Sequence, residues 1–245
     1  MFFGGPGGAA KKAAFTLPGP SGGDALRVQG YGDVNGDGAP DVYVGGLLYL
    51  GSGDGFTAQA NFAAGLIADF TGDYDGDGLT DFAANQVVLP GTPIGVDPNG
   101  FLFGQAGEFV FETAGDVDGD GYADVISSLG SFERVPERER VYFGAPTACG
   151  NTNCRGFAPL IIPGHDQTQT PAGGLTAIIA AAGDVDGDGG DDIVVATPEN
   201  GTVYVYLAGG ARAQPLNFAI RTFTGTAGSF GTSLAALYGT APTGL

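Results

Sequence analysis

Four copies of one ten-residue loop constrain this chain more than any other feature. Residues 32–41 read GDVNGDGAPD and return as 72–81 (GDYDGDGLTD), 115–124 (GDVDGDGYAD) and 183–192 (GDVDGDGGDD). Counted from the first aspartate, each copy has Asp or Asn at positions one, three and five, glycine at four and six, and aspartate at nine. The first aspartates are 40, 43 and 68 residues apart. Self-similarity at such a period means a stack of equivalent supersecondary units, none of which buries its apolar face alone.

The flanks of the loops say what the units are made of. A small or apolar stretch leads into each loop, as at residues 175–180, and a β-branched run leads out, as at 192–196. A second such run follows a turn, as at 203–207. Alternating short runs of this kind read as strands. The loop therefore joins the first two strands of a unit, and further strands complete a four-stranded blade. With 47 glycines and 15 prolines in 245 residues and no collagen period, the chain has many tight turns. No window sustains a helical period. Residues 175–182 read equally well as a short helix or a buried strand. The expectation is an all-β chain whose 43% hydrophobic residues supply a core.

The formal net charge is −18, and fifteen of the 27 acidic residues sit at positions one, three, five and nine of the four loops. No basic stripe is present to displace counterions from phosphates, so a nucleic-acid partner is not expected. Acid clustered this tightly either repels itself or holds cations. In the third copy Asp116, Asp118 and Asp120 alternate, and their side chains converge if the loop curls. Gly119 and Gly121 permit that curl. The carbonyl of Tyr122 and the carboxylate of Asp124 close the shell. With a water this gives about six or seven oxygens, which suits Ca²⁺ better than the smaller, strictly octahedral Mg²⁺. The same roles fall on Asp33, Asn35, Asp37, Ala39 and Asp41; on Asp73, Asp75, Asp77, Leu79 and Asp81; and on Asp184, Asp186, Asp188, Gly190 and Asp192. Four calcium ions are expected, the first held most weakly because Asn35 replaces a charged ligand. An EF-hand is excluded: position twelve is Val44, Ala84, Ser127 or Val195 instead of glutamate, and the flanks are strands. The alternative, acidic turns without metal, suits one such loop but not four.

These loops, with the fragments Phe143-Gly144-Ala145-Pro146, Phe3-Gly4-Gly5-Pro6 and Phe230-Gly231, resemble the FG-GAP repeats of integrin α-subunit propellers and their bacterial relatives. The resemblance implies a β-propeller with a calcium loop between the first and second strands of each blade. It also implies an extracellular or cell-surface protein serving adhesion or ligand binding, lectins included. Integrin-type propellers have seven blades, and this chain is too short for seven. One domain of about five blades is expected, with loop-bearing blades around 24–62, 63–105, 106–170 and 171–225. Residues 229–237 resemble the first strand of a fifth, completed by 1–20 in a closed ring. Otherwise the chain is a slice of a larger propeller.

Cys149 and Cys154 lie in one short loop and suit a disulfide, or else stand as free thiols. Arg134, Arg138, Arg140 and Arg155 could meet an acidic ligand, or pair with Glu133, Glu137 and Glu139. His165 is the single histidine, and the aspartates are already assigned to metal, so no enzyme is expected. The partner is read as a protein or glycan, or copies of the chain in a structural assembly. A lectin or an accessory domain of an enzyme is a lesser alternative. No apolar run is long enough to span a bilayer. The start, Met1-Phe2-Phe3-Gly4-Gly5, lacks the regions of a signal peptide, which suits a fragment or mature portion.

Overall fold

The structure, a computed structural model, describes residues 15–17, 28–44, 46–59, 68–84, 87–102, 108–129, 139–144, 160–161, 178–208, 219–232 and 234. Its described residues form four antiparallel four-stranded sheets and one small hairpin.

The first sheet runs in chain order through β1 (Val28–Gly32), β2 (Asp41–Val44), β3 (Leu47–Ser52) and β4 (Gly55–Ala58). The second is β5 (Ala68–Gly72), β6 (Asp81–Ala84), β7 (Val87–Leu89) and β10 (Phe101–Leu102). The hairpin β8 (Gly91–Thr92) and β9 (Gly95–Val96) stands between its last two strands. The third is β11 (Glu108–Gly115), β12 (Asp124–Leu129), β13 (Glu139–Tyr142) and β14 (Leu160–Ile161). The fourth is β15 (Ile178–Gly183), β16 (Asp192–Thr197), β17 (Thr202–Leu207) and β18 (Ala219–Thr224). Residues 178–183, ambiguous in sequence, are thus strand, because their amides pair with β16. Among the described residues there is no α-helix, only a 3₁₀ turn at Pro198–Asn200.

Each acidic loop joins the first and second strands of a sheet. In every sheet the pairing slips by one residue just before the loop, and the glycine preceding the first aspartate faces the ninth-position aspartate: Gly32 with Asp41, Gly72 with Asp81, Gly115 with Asp124, Gly183 with Asp192. Such a bulge bends the strand end and starts the curl of the loop.

The core lies between successive sheets. Val34, Tyr43 and Leu48 of the first repeat pack with Phe70, Phe82 and Leu89 of the second. The Phe82 ring meets Tyr43 at 5.3 Å and Phe70 at 5.1 Å, the latter edge to face, a favoured arrangement. Tyr74, Ala83 and Val88 pack with Val125, and Ile126 and Val141 pack with Ile179 and Ile193. First strands neighbour first strands: β1 lies beside β5, β5 beside β11, and β11 beside β15. The four loops therefore succeed one another along one end of the stack.

The strand expected over 229–237 is not formed in its described part. Residues 227–231 make a turn, because the amides of Ser229 and Phe230 fold back onto the carbonyl of Thr226 (3.1 and 2.9 Å). Residues 233 and 235–237 lie outside the described residues. So do Cys149 and Cys154 with their expected disulfide, His165, Arg134, Arg138 and Arg155.

Candidate metal centre

The first aspartate of each loop organises the turn that follows it. Asp73 accepts the amides of Gly76, Asp77 and Gly78 (2.7, 3.0 and 2.9 Å). Asp184 accepts those of Gly187, Asp188 and Gly189 (2.6, 3.0 and 3.0 Å). Asp33 and Asp116 bond the amides four and five residues on. The glycines at positions four and six adopt φ between 69° and 98°, which a Cβ would disfavour. Asp37, Asp77, Asp120 and Asp188, at position five, each accept the amide two residues on. Curled in this way, the loop turns its carboxylates toward one point.

Three loops bring three carboxylates together. Asp73, Asp75 and Asp81 each offer an oxygen, all within 4.8 Å of one another, as do Asp116, Asp118 and Asp124, and Asp184, Asp186 and Asp192. In the first loop Asn35 stands at the third position, between Asp33 and Asp41. Positions one, three and nine therefore form the cluster, with position five engaged in the turn beside it.

The ninth aspartates have a second task that the sequence did not disclose. All four are fully buried. One oxygen of each accepts the amide at loop position two: Val34, Tyr74, Val117 and Val185, each at 2.8 Å. The other accepts an amide at the end of the third strand: Gly51, Gly91, Gly144 and Ala208, at 2.7 to 2.8 Å. The ninth aspartate thus ties the loop to the sheet. Gly144 is the glycine of the Phe143-Gly144 pair, and a Cβ there would collide first with the carbonyl of Ala123 in its own repeat, and would meet the Tyr122 side chain and the Tyr74 carbonyl, both at 2.9 Å. The glycine is needed for close approach to its own loop and, through Tyr74, to the preceding repeat.

Burial, with neighbouring carboxylates adding to it, pushes the Asp81 carboxyl up to about 7 and that of Asp124 to about 8. Asp41, Asp75 and Asp192 move the same way, again chiefly through burial. Oxygen donors that converge and resist ionising together are what a divalent cation would neutralise. The donors are hard oxygens without sulfur or imidazole, and so fit calcium chemistry.

The loops are also fastened to one another. The amide at position eight donates to the carbonyl of the first aspartate in the preceding loop: Thr80 to Asp33 (3.2 Å), Ala123 to Asp73 (2.9 Å), Asp191 to Asp116 (2.8 Å). The side chain at position seven reaches the glycine at position four of the preceding loop, Leu79 at Gly36 and Tyr122 at Gly76. The position-two residues of the first three loops are buried: Val34 and Val117 are 0% exposed and Tyr74 5%. No following loop covers the fourth among the described residues, and Val185 is 62% exposed.

The FG-GAP repeat model matches residues 177–206, which run from the strand before the fourth loop to the third strand of its sheet. The fourth copy is thus similar to an FG-GAP repeat. The comparison with curated proteins gave no match. FG-GAP repeats often bind calcium, and one of the acidic clusters, Asp184, Asp186 and Asp192, lies within the matched residues. No helix among the described residues is long and apolar enough to cross a membrane.

Proposed function

We infer that the chain is a calcium-binding β-propeller-type module that acts outside the cell as a recognition or adhesion surface for a protein or glycan. One observation carries the calcium part: three sets of carboxylates converge at the same place in three successive repeats, on a scaffold with an FG-GAP match. Chance acidic turns would not repeat both the convergence and the buried anchoring aspartate. Ligands come from positions one, three and nine, with position five and the carbonyl at position seven completing the shell, and four ions bind in all. Stacked four-stranded meanders with neighbouring first strands are the arrangement of propeller blades.

Calcium would supply no chemistry beyond charge neutralisation and rigidity. The carboxylates are committed to holding it, so we assign the chain no catalytic role. Stiffened loops on one end of the stack suit the presentation of a surface. Thermal unfolding of the purified chain in EDTA, followed by titration with calcium and separately magnesium, tests the reading. A melting temperature that climbs with calcium and little with magnesium supports it. No response to calcium refutes it. Retention of glycoproteins on the immobilised chain, abolished by EDTA, tests the recognition part, and no calcium-dependent retention would argue against it.

A further inference from the structure

We propose that Asp191, which belongs to none of the four ligand sets, couples the third and fourth metal loops by holding Asp116 from the following repeat, so that occupation of the fourth loop strengthens binding at the third. The proposal rests on the calcium reading above.

Asp191 grips Asp116 twice. Its amide donates to the Asp116 carbonyl and its carboxylate accepts the Asp116 amide, both at 2.8 Å. A charge-assisted hydrogen bond of this kind is about twice as strong as a neutral one. The other junctions differ. At the first, the neutral hydroxyl of Thr80 accepts the Asp33 amide at 3.2 Å. At the second, Ala123 has no acceptor to offer. Position seven differs as well: Leu79 and Tyr122 reach over the preceding loop, whereas Gly190 has no side chain to do so. At the third junction Asp191 therefore supplies the loop-to-loop side-chain contact that Leu79 and Tyr122 supply at the first two. Room is kept for it by Gly115, at φ 78°, where a Cβ would collide with the Asp191 carboxylate.

The geometry gives the coupling a direction in sequence. Asp191 lies between Gly190 and Asp192, both ligands of the fourth loop in the reading above. An ion there fixes residues 190–192, and with them both hydrogen bonds to Asp116. The third loop then binds its ion with its first ligand already ordered. Thermodynamic linkage makes the effect reciprocal. Two divalent ions in neighbouring loops also repel, so electrostatics alone predicts the opposite sign.

Site-resolved calcium titration of the full chain by amide NMR tests this. Gly121 and Gly189 donate to the first aspartates of the third and fourth loops (2.8 and 3.0 Å), so their resonances report each loop separately. Gly78 serves the second loop as internal control. Disabling the fourth loop with Asp186→Ala should raise the half-saturating calcium for Gly121 by about tenfold, within the usual range of couplings, and leave Gly78 unmoved. Asp191→Ala should weaken the third loop similarly and cancel any further effect of Asp186→Ala. Asp191→Asn, which keeps an oxygen for the Asp116 amide but loses the charge, should retain part of the coupling. The pattern should persist at high salt, where charge effects are screened. If Asp186→Ala leaves Gly121 unchanged, or strengthens its loop, or acts equally with and without Asp191, the coupling is overturned while calcium binding stands. If the unsubstituted chain binds no calcium, the functional reading falls and the coupling with it.

Discussion

Asp124→Ala, measured without metal, separates the anchoring role of the ninth aspartates from their role as ligands. Asp124 is fully buried, and its two oxygens accept the amides of Val117 and Gly144, both at 2.8 Å. Alanine leaves two buried donors unsatisfied. Each such donor costs about 1–3 kcal/mol, so the loss is about 2–6 kcal/mol. An opposing effect must be removed first, since deleting a carboxylate from an acidic cluster relieves repulsion. Below pH 7 that relief is small, because burial holds the Asp124 carboxyl at about 8 and the metal-free folded chain carries it protonated. In EDTA at pH 6 the substitution should therefore lower the melting temperature by roughly 4–24 °C, at about 2–4 °C per kcal/mol for a domain of this size.

Asp186→Ala is the contrast. Asp186 is exposed, and its removal in EDTA should change stability by less than about 0.5 kcal/mol. In calcium both variants should lose the stabilisation conferred by their own ion. Asp124→Asn should fall between the extremes, because its amide oxygen accepts one of the two amides and its NH₂ group faces the other. Scanning calorimetry in EDTA and in calcium reads all of these. If Asp124→Ala melts at or above the unsubstituted chain in EDTA, the anchoring role is wrong and the ninth aspartates serve metal alone.

Three further outcomes follow from the same geometry. The carboxyls of Asp81 and Asp124 are raised from 3.8 to about 7 and about 8, so the stability they add is complete below about pH 4 and lost as pH rises through 7 to 8. The metal-free chain should thus melt higher at pH 5.5 than at pH 8.5, and saturating calcium should reverse that order because the ion requires ionised ligands; calorimetry at the two pH values decides it. Asn35→Asp adds a charge to the first loop and should lower its half-saturating calcium several-fold, read at the amide of Gly38, which donates to Asp33 at 2.9 Å. Gly144→Ala forces a methyl against the carbonyls of Ala123 and Tyr74 and should cost about 1–3 kcal/mol in EDTA and calcium alike, a loss that urea unfolding would register.

The strands and loops were legible because their signals are local. Alternating β-branched runs, the glycines at positions four and six, and the aspartates at one, three, five and nine all lie within ten residues of one another. The junctions were not legible, since they join residues far apart in sequence: Asp191 meets Asp116 75 residues away, and Thr80 meets Asp33 47 away. The adjacent pair Asp191-Asp192 was the one visible hint, as the other copies carry Pro40, Thr80 or Ala123 at that place. The second task of the ninth aspartate was hidden for a related reason. Its partner amides at Gly51, Gly91, Gly144 and Ala208 lie 10 to 20 residues on, across a hairpin of varying length. The turn at 227–231 shows the converse, an apparent strand signal overridden by the backbone bonds to Thr226.

Metal loop and repeat junction are therefore one structure. The ninth aspartate binds its loop to its own sheet, and the eighth residue binds that loop to the previous one. The arrangement is directional, because each loop is steadied by its successor. Loops one to three have their position-two residue buried under the next repeat, whereas Val185 in the fourth is exposed. The fourth loop, with a full set of charged ligands but Val185 exposed, should consequently open most readily when its ion is absent. The first, with its successor in place but Asn35 among its ligands, should stay ordered and bind weakly. Hydrogen exchange in EDTA distinguishes these two weaknesses: fast exchange at Gly189 beside slow exchange at Gly38 is expected, and equal rates would show that packing by the next repeat does not order these loops.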